Sequence, residues 1–190
     1  GGVETSPASQ INFLPTMGAN TRDKYMFGAV FYNNVIPHNK FNYRIMPMYS
    51  IGLNQLAGSA EVNYSLYPSS IFQEVTFTGK AKQYAGYQKG EPSITFALKP
   101  NKLRTSPKQW LKFKYTAIGV DTELQPTYES EYQILSAEYT IENNNALTEY
   151  SFNSEIQHKA QDFTLWKNEA RIQHQYKQGR FASVNLFFGS

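Results

Sequence analysis

Gln55-Leu56-Ala57-Gly58-Ser59-Ala60-Glu61-Val62-Asn63-Tyr64-Ser65-Leu66 decides the fold. Leu56, Gly58, Ala60, Val62, Tyr64 and Leu66 occupy the even positions, and the odd ones, apart from Ala57, are polar. A period of two puts alternate side chains on opposite faces, so the stretch reads as a β-strand with one apolar and one polar face.

The same pattern recurs on both sides. After it, Val75, Phe77, Gly79 and Ala81 alternate with Glu74, Thr76, Thr78, Lys80 and Lys82. Further on, Leu111, Phe113 and Tyr115 oppose Lys112, Lys114 and Thr116. Trp166, Ala170 and Ile172 oppose Lys167, Glu169 and Arg171. About ten strands are expected, over 24–33, 41–51, 54–66, 71–84, 93–99, 109–119, 131–142, 147–158, 163–176 and 180–188. Most run to about nine to fourteen residues, against five or six in an average soluble strand and nine to eleven in a membrane barrel. Short links such as Gly52-Leu53-Asn54 and Pro68-Ser69-Ser70 leave no room for crossover helices, so an antiparallel meander is expected. Gly86 to Pro92 reads as a loop, and Pro47 inside a strand suggests an edge or a bulge.

Composition narrows the class. The 190 residues carry 18 Lys plus Arg and 15 Asp plus Glu, a net charge of +3, with 15% aromatics and no Cys. Disulfide scaffolds and thiolate metal sites are excluded, and whole-chain disorder is disfavoured. The weak positive charge gives little support to nucleic-acid binding. A mean hydropathy of −0.53 argues against spanning helices but not against a membrane barrel. Residues 1–20 read as an N-terminal linker or plug-like segment and 21–190 as the β-barrel domain. Phe187-Phe188-Gly189-Ser190 stops directly after a strand-like run. That reads as a truncated C-terminus of a longer polypeptide, with a complete small domain as the other reading.

Two architectures give long half-apolar meander strands. A lipid-spanning barrel turns the apolar face outward, and a soluble barrel or sandwich turns it inward. Small residues at mid-strand (Gly58, Ala60, Gly79, Ala117, Ala137) and aromatics toward strand ends favour the barrel. On that reading Glu61, Lys80, Lys112, Lys114, Glu149, Glu155, Glu169 and Arg171 face the lumen. Tyr32, Tyr49, Tyr67, Tyr84, Trp110 and Tyr176 are the candidate interfacial aromatics.

A resemblance points the same way. Met26-Phe27-Gly28-Ala29-Val30-Phe31-Tyr32-Asn33-Asn34, then Pro37, Met46-Pro47-Met48-Tyr49-Ser50-Ile51-Gly52 and Leu56-Ala57-Gly58 form one block. It resembles the C-terminal outer-membrane β-barrel region of large Bacteroidota surface proteins, some of which carry an M1-like metallopeptidase domain. The resemblance implies that a large domain precedes Gly1 and that further strands follow Gly189. The helix-borne H-E-x-x-H of such peptidases is absent from the sequence, so zinc chemistry passes to no residue here.

The search for chemistry is otherwise thin. His38, His158 and His174 lack the spacing of a metal site and read as solvated, interfacial or packing residues. The carboxylates on neighbouring strands read as salt-linked rather than as a hydrolase pair. Lys99 to Lys114, with Trp110, Phe113 and Tyr115 interleaved, reads as a solvated or headgroup-facing turn rather than a nucleic-acid strip. The expectation is therefore a porin-like outer-membrane β-barrel, or part of a larger barrel, acting as anchor or as pore or complex component. It would be non-enzymatic in itself and need no cofactor. Its partners would be outer-membrane lipid or lipopolysaccharide and other envelope proteins, with no nucleic acid. The alternatives are a membrane-bound metallopeptidase whose catalytic part lies outside this chain, and a soluble secreted β-protein for adhesion or glycan binding.

Overall fold

A computed structural model of the chain describes residues 11–33, 40–100, 107–120, 131–144, 148–159, 163–177 and 180–189. These form eleven strands: β1 (Asn12–Asn20), β2 (Lys24–Tyr32), β3 (Phe41–Ser50), β4 (Gln55–Leu66), β5 (Phe72–Tyr84), β6 (Tyr87–Leu98), β7 (Lys108–Val120), β8 (Glu131–Asn144), β9 (Thr148–Lys159), β10 (Phe163–Lys177) and β11 (Arg180–Gly189). They make one sheet in strictly sequential order, β1 to β11.

The order corrects the expected closure. Among the described residues β1 and β11 are the two ends of the sheet and do not pair with each other. A transmembrane barrel must close, because an open edge leaves backbone N–H and C=O groups unsatisfied in lipid. The chain is therefore not a closed barrel, and its reading as an outer-membrane anchor or porin-like pore falls with the closure. Strand length and alternation do not separate the two cases, since an open meander carries both.

Three elements depart locally from the expected pattern. A strand, β1, runs through residues 12–20 and pairs with β2 over its whole length, from Asn12↔Tyr32 to Asn20↔Lys24. The loop expected over Gly86 to Pro92 is instead a two-residue turn followed by β6. Ala85 (φ 52°) and Gly86 (φ 78°) supply the positive φ values that such a hairpin turn needs. Lastly, Pro47 lies on an interior strand, between β2 and β4. The β2–β3 ladder is interrupted there, between Gly28↔Met48 and Phe31↔Ile45, where proline offers no donor.

The chain divides into two compact units. The first comprises Gly1–Tyr64, Thr78–Gly90 and Gly119–Ser130, and the second Ser65–Phe77, Glu91–Ile118 and Glu131–Ser190. In the first unit Met26, Met48 and Ala57 form a small buried cluster, with Met46 and Tyr84 packed against it. The turns of the β1–β2 and β3–β4 hairpins are also joined there. Asn20 Oδ1 accepts from the backbone N–H of Arg22 (2.9 Å) and of Asp23 (2.7 Å). Asn20 Nδ2 donates to Asp23 Oδ2 at 2.6 Å. The Asp23 carbonyl then accepts from the Gly52 N–H (2.8 Å) and from Ser50 Oγ (3.2 Å). Asp23 and Ser50 are both fully buried.

Within the second unit β8, β9 and β10 pair in regular register, with Ala137 opposite Ile156 and Ile156 opposite Trp166. Phe72, Phe96 and Phe113 stack in series, with ring centroids 5.1 Å and then 6.4 Å apart. Tilted and edge-on rings of this kind add to what their burial contributes.

Candidate functional site

The faces of the first unit are unequally covered. On β4, Ala57 and Gly58 are buried and the other odd-numbered residues through Asn63 are half-buried, whereas Leu56, Val62 and Tyr64 are exposed. The polar side is thus the more covered one and the apolar side is open. A polar side chain packed among others must find partners, and these do. Glu61 accepts from Arg44 Nη2 at 3.3 Å and pairs with Lys80 Nζ at 3.2 Å. Asn63 donates to Glu61 (3.4 Å) and accepts from Thr78 Oγ1 (2.7 Å).

Burial pushes the Glu61 carboxyl up, but the hydrogen bonds from Lys80 and Asn63 and the charges of Lys80 and Arg44 outweigh it. The net result holds Glu61 below its ordinary value. A carboxyl lowered on folding stabilises the native state above its unfolded pKa, and that contribution disappears as pH falls through the folded value. Glu61→Gln is therefore expected to flatten the acid side of the stability profile while leaving its neutral-to-alkaline shape unchanged. Urea midpoints measured between about pH 3 and pH 6 check this.

Other expected polar residues are placed separately. Lys112 and Lys114 lie half-buried on β7, while Glu149, Glu169 and Arg171 are exposed on β9 and β10. Glu155 faces Glu138 and Lys167 in register and accepts from Gln157 at 2.9 Å. Arg171 lies opposite Ser151 and donates to Gln173 at 3.2 Å. Of the eight polar candidates, the structure brings Glu61 and Lys80 into direct contact. Arg44, the third member, does not stand out in the sequence because its strand carries few polar neighbours. Its parity with Asn42 was the available signal.

The histidines pair with threonines. His158 Nδ1 lies 2.9 Å from Thr164 Oγ1, and His174 Nδ1 lies 2.8 Å from Thr148 Oγ1. His38 lies outside the described residues. Among the described residues no group of three or more His, Cys, Asp or Glu could hold a metal ion.

The aromatic candidates divide by face. Tyr84 packs on the Met26–Met48–Ala57 cluster, and Tyr32 shares the strand face of Met26. Trp110 is half-buried, Tyr67 is exposed, and the Tyr176 side chain lies outside the described residues. Tyr49 is exposed on the apolar face and its hydroxyl hydrogen-bonds Asn54 Oδ1.

Around Tyr49 the cross-strand register assembles a site that no single strand reveals. Met17 faces Phe27, Phe27 faces Tyr49, and Tyr49 faces Leu56. These four are 73%, 53%, 47% and 70% exposed, a continuous open apolar row across β1 to β4. Four residues along the strands runs a second row, Phe13, Phe31, Ile45 and Ala60. The Phe13 and Phe31 rings lie 5.5 Å apart. Between the two rows lie Pro15 opposite Ala29 and Pro47 opposite Gly58, with Ala29 and Pro47 in the interrupted stretch of the β2–β3 ladder. None of these has a bulky side chain, so the face carries a shallow trough with a small-residue floor and ring-bearing walls. The walls stand about 13 Å apart along the strands, from the rise per residue.

No family model, curated protein or solved structure matches the chain. The resemblance noted in Met26 to Gly58 is neither supported nor opposed by these comparisons.

Proposed function

We propose that this chain is a non-catalytic β-sheet module for adhesion and that it binds glycans in the trough between the two apolar rows of β1–β4. One observation carries the reading: the row Met17–Phe27–Tyr49–Leu56 is open to solvent beside a floor of Pro15, Ala29, Pro47 and Gly58. Exposed contiguous apolar surface of this kind marks an interaction site. The electropositive C–H face of a sugar ring stacks on the electronegative face of an aromatic ring, and Phe27, Phe31 and Tyr49 supply such rings beside a floor low enough to admit one. Tyr49, with its hydroxyl held by Asn54, adds a polar atom at the rim.

Retention of the purified chain on a panel of immobilised oligosaccharides and polysaccharides tests the reading. At least one glycan is expected to retain it. Phe27→Ala and Tyr49→Ala are each expected to weaken that binding about tenfold, the loss of one stacked ring. Ala29→Phe, which raises the floor, is expected to abolish it. Unchanged binding in all three variants, or no glycan retained by the parent chain, defeats the proposal.

A further inference from the structure

The two ends of the sheet are unlike. β1 carries Pro15, a residue that lacks a backbone donor and suits an edge that stays unpaired. β11 carries no such protection. From Phe181 to Gly189 it has neither a charged residue nor a proline. Its one irregularity against β10 lies between Gln175 and Lys177, beside Arg180, and the register from Phe181 to Gly189 is unbroken. Residues 182–189 are all exposed. Natural edge strands are blunted by charges, prolines or bulges because a long regular edge is a template for another strand. A nine-residue uncharged edge is such a template.

We propose that β11 pairs antiparallel with β11 of a second copy of this chain, about a two-fold axis at Asn185. Antiparallel self-pairing joins residues of like parity, so the apolar side chains of both copies fall on one face. With the axis at the middle of the uncharged run, Val184 faces the second copy's Leu186 and Ala182 faces its Phe188. On that face Val184 already sits opposite Ile172, and Leu186 opposite Ala170, so the apolar strip continues from β10 across the new seam. The absence of charge from 181 to 189 leaves no like-charge contact across the axis. Asn185 meets its own copy, and an amide can both donate to and accept from an identical partner. An interface of this kind is isologous and closes at two copies, whereas pairing of β11 with β1 would be head-to-tail.

The chain has no cysteine, so a single introduced thiol reports the seam cleanly. The measurements are made in a mild non-ionic detergent, which covers the apolar face without replacing backbone pairing, and with no glycan present. Asn185→Cys is expected to give a disulfide-linked species of twice the chain mass on mild oxidation, at least tenfold more abundant than that from Thr16→Cys on β1. Sedimentation is expected to give a dimer for the parent chain and a monomer for Val184→Lys with Leu186→Lys. Mixing that variant with Val184→Glu with Leu186→Glu is expected to restore the dimer, because unlike charges then face each other. A monomeric parent chain, equal cross-linking at Thr16→Cys, or a ladder of larger species would overturn the proposal. If the charged variants fail to fold by circular dichroism, the cross-linking comparison still decides. Phe27 and Tyr49 are untouched throughout, so failure here and failure of glycan binding are read separately.

Discussion

Gly58→Ala is expected to lower stability by on the order of 3 kcal/mol, the sum of a strained backbone and an overpacked contact. Gly58 sits at φ +136°, where residues with a Cβ are rarely found, and an added Cβ would lie 2.0 Å from the Met46 carbonyl oxygen. That oxygen belongs to the backbone of β3 and cannot rotate aside. Gly28 flanks the same place from β2, and its Cβ would lie 2.1 Å from the Pro47 carbonyl oxygen. The two glycines let the chain carry a proline inside an interior strand. Gly28→Ala should thus cost a comparable amount, though without the strain of a positive φ. Gly90→Ala is the control, since a Cβ there meets nothing within 4 Å. Thermal unfolding checks the set: the Gly58 variant should melt roughly 10 °C lower and the Gly90 variant nearly unchanged.

Asn20→Ala is the second large effect, at about 3 kcal/mol for several lost hydrogen bonds around a buried acidic group. The substitution removes the acceptor for the Arg22 and Asp23 amides and the donor to Asp23 Oδ2. Asp23 is fully buried, and its Oδ1 already lacks a partner among the described residues. Taking Asn20 away therefore leaves a buried carboxyl with less satisfaction still. The double-mutant cycle makes the argument specific. Adding Asp23→Ala to Asn20→Ala should cost less than Asp23→Ala alone, because the group left wanting has gone. Denaturant unfolding of the four chains measures the coupling, and simple additivity would refute this account of the turn.

The alternation of Leu56 to Leu66 and its counterparts made the strands, their faces and their antiparallel order legible. Four features were not, each for a physical reason. Residues 12–20 hold Pro15 and Gly18, which weaken a strand on paper, but β2 supplies a full ladder that overrides propensity. Gln88 to Pro92 has the polar, breaker-rich look of a loop, yet two positive φ values at Ala85 and Gly86 turn the chain early and leave it in β6. Closure is not written in the pattern, because alternation and strand length describe a strand's two faces and say nothing about what meets the first and last edges. The trough was invisible for a related reason. Its walls and floor come from residues on four strands, and only the cross-strand register aligns Met17 with Leu56 or Pro47 with Gly58.

The strictly sequential strand order has a kinetic consequence. Every ladder joins neighbours in the chain, so residues that pair are separated by short stretches, as Asn20 and Lys24 are at a turn and Asn12 and Tyr32 at the far end. Low contact order of this kind favours fast assembly, hairpin upon hairpin, since no long loop must close first. Contacts beyond neighbouring strands do occur, such as the Arg22 Nη1 bond to the Ala85 carbonyl (3.3 Å) and Tyr84 on the Met26–Met48–Ala57 cluster, but the ladders among the described residues join only sequential strands. Opening can start at either terminal strand and move inward one ladder at a time, much as in a linear repeat array. Amide exchange should then rise in steps from the middle strands toward β1 and β11, with the outermost hairpins behaving as the least protected cooperative units.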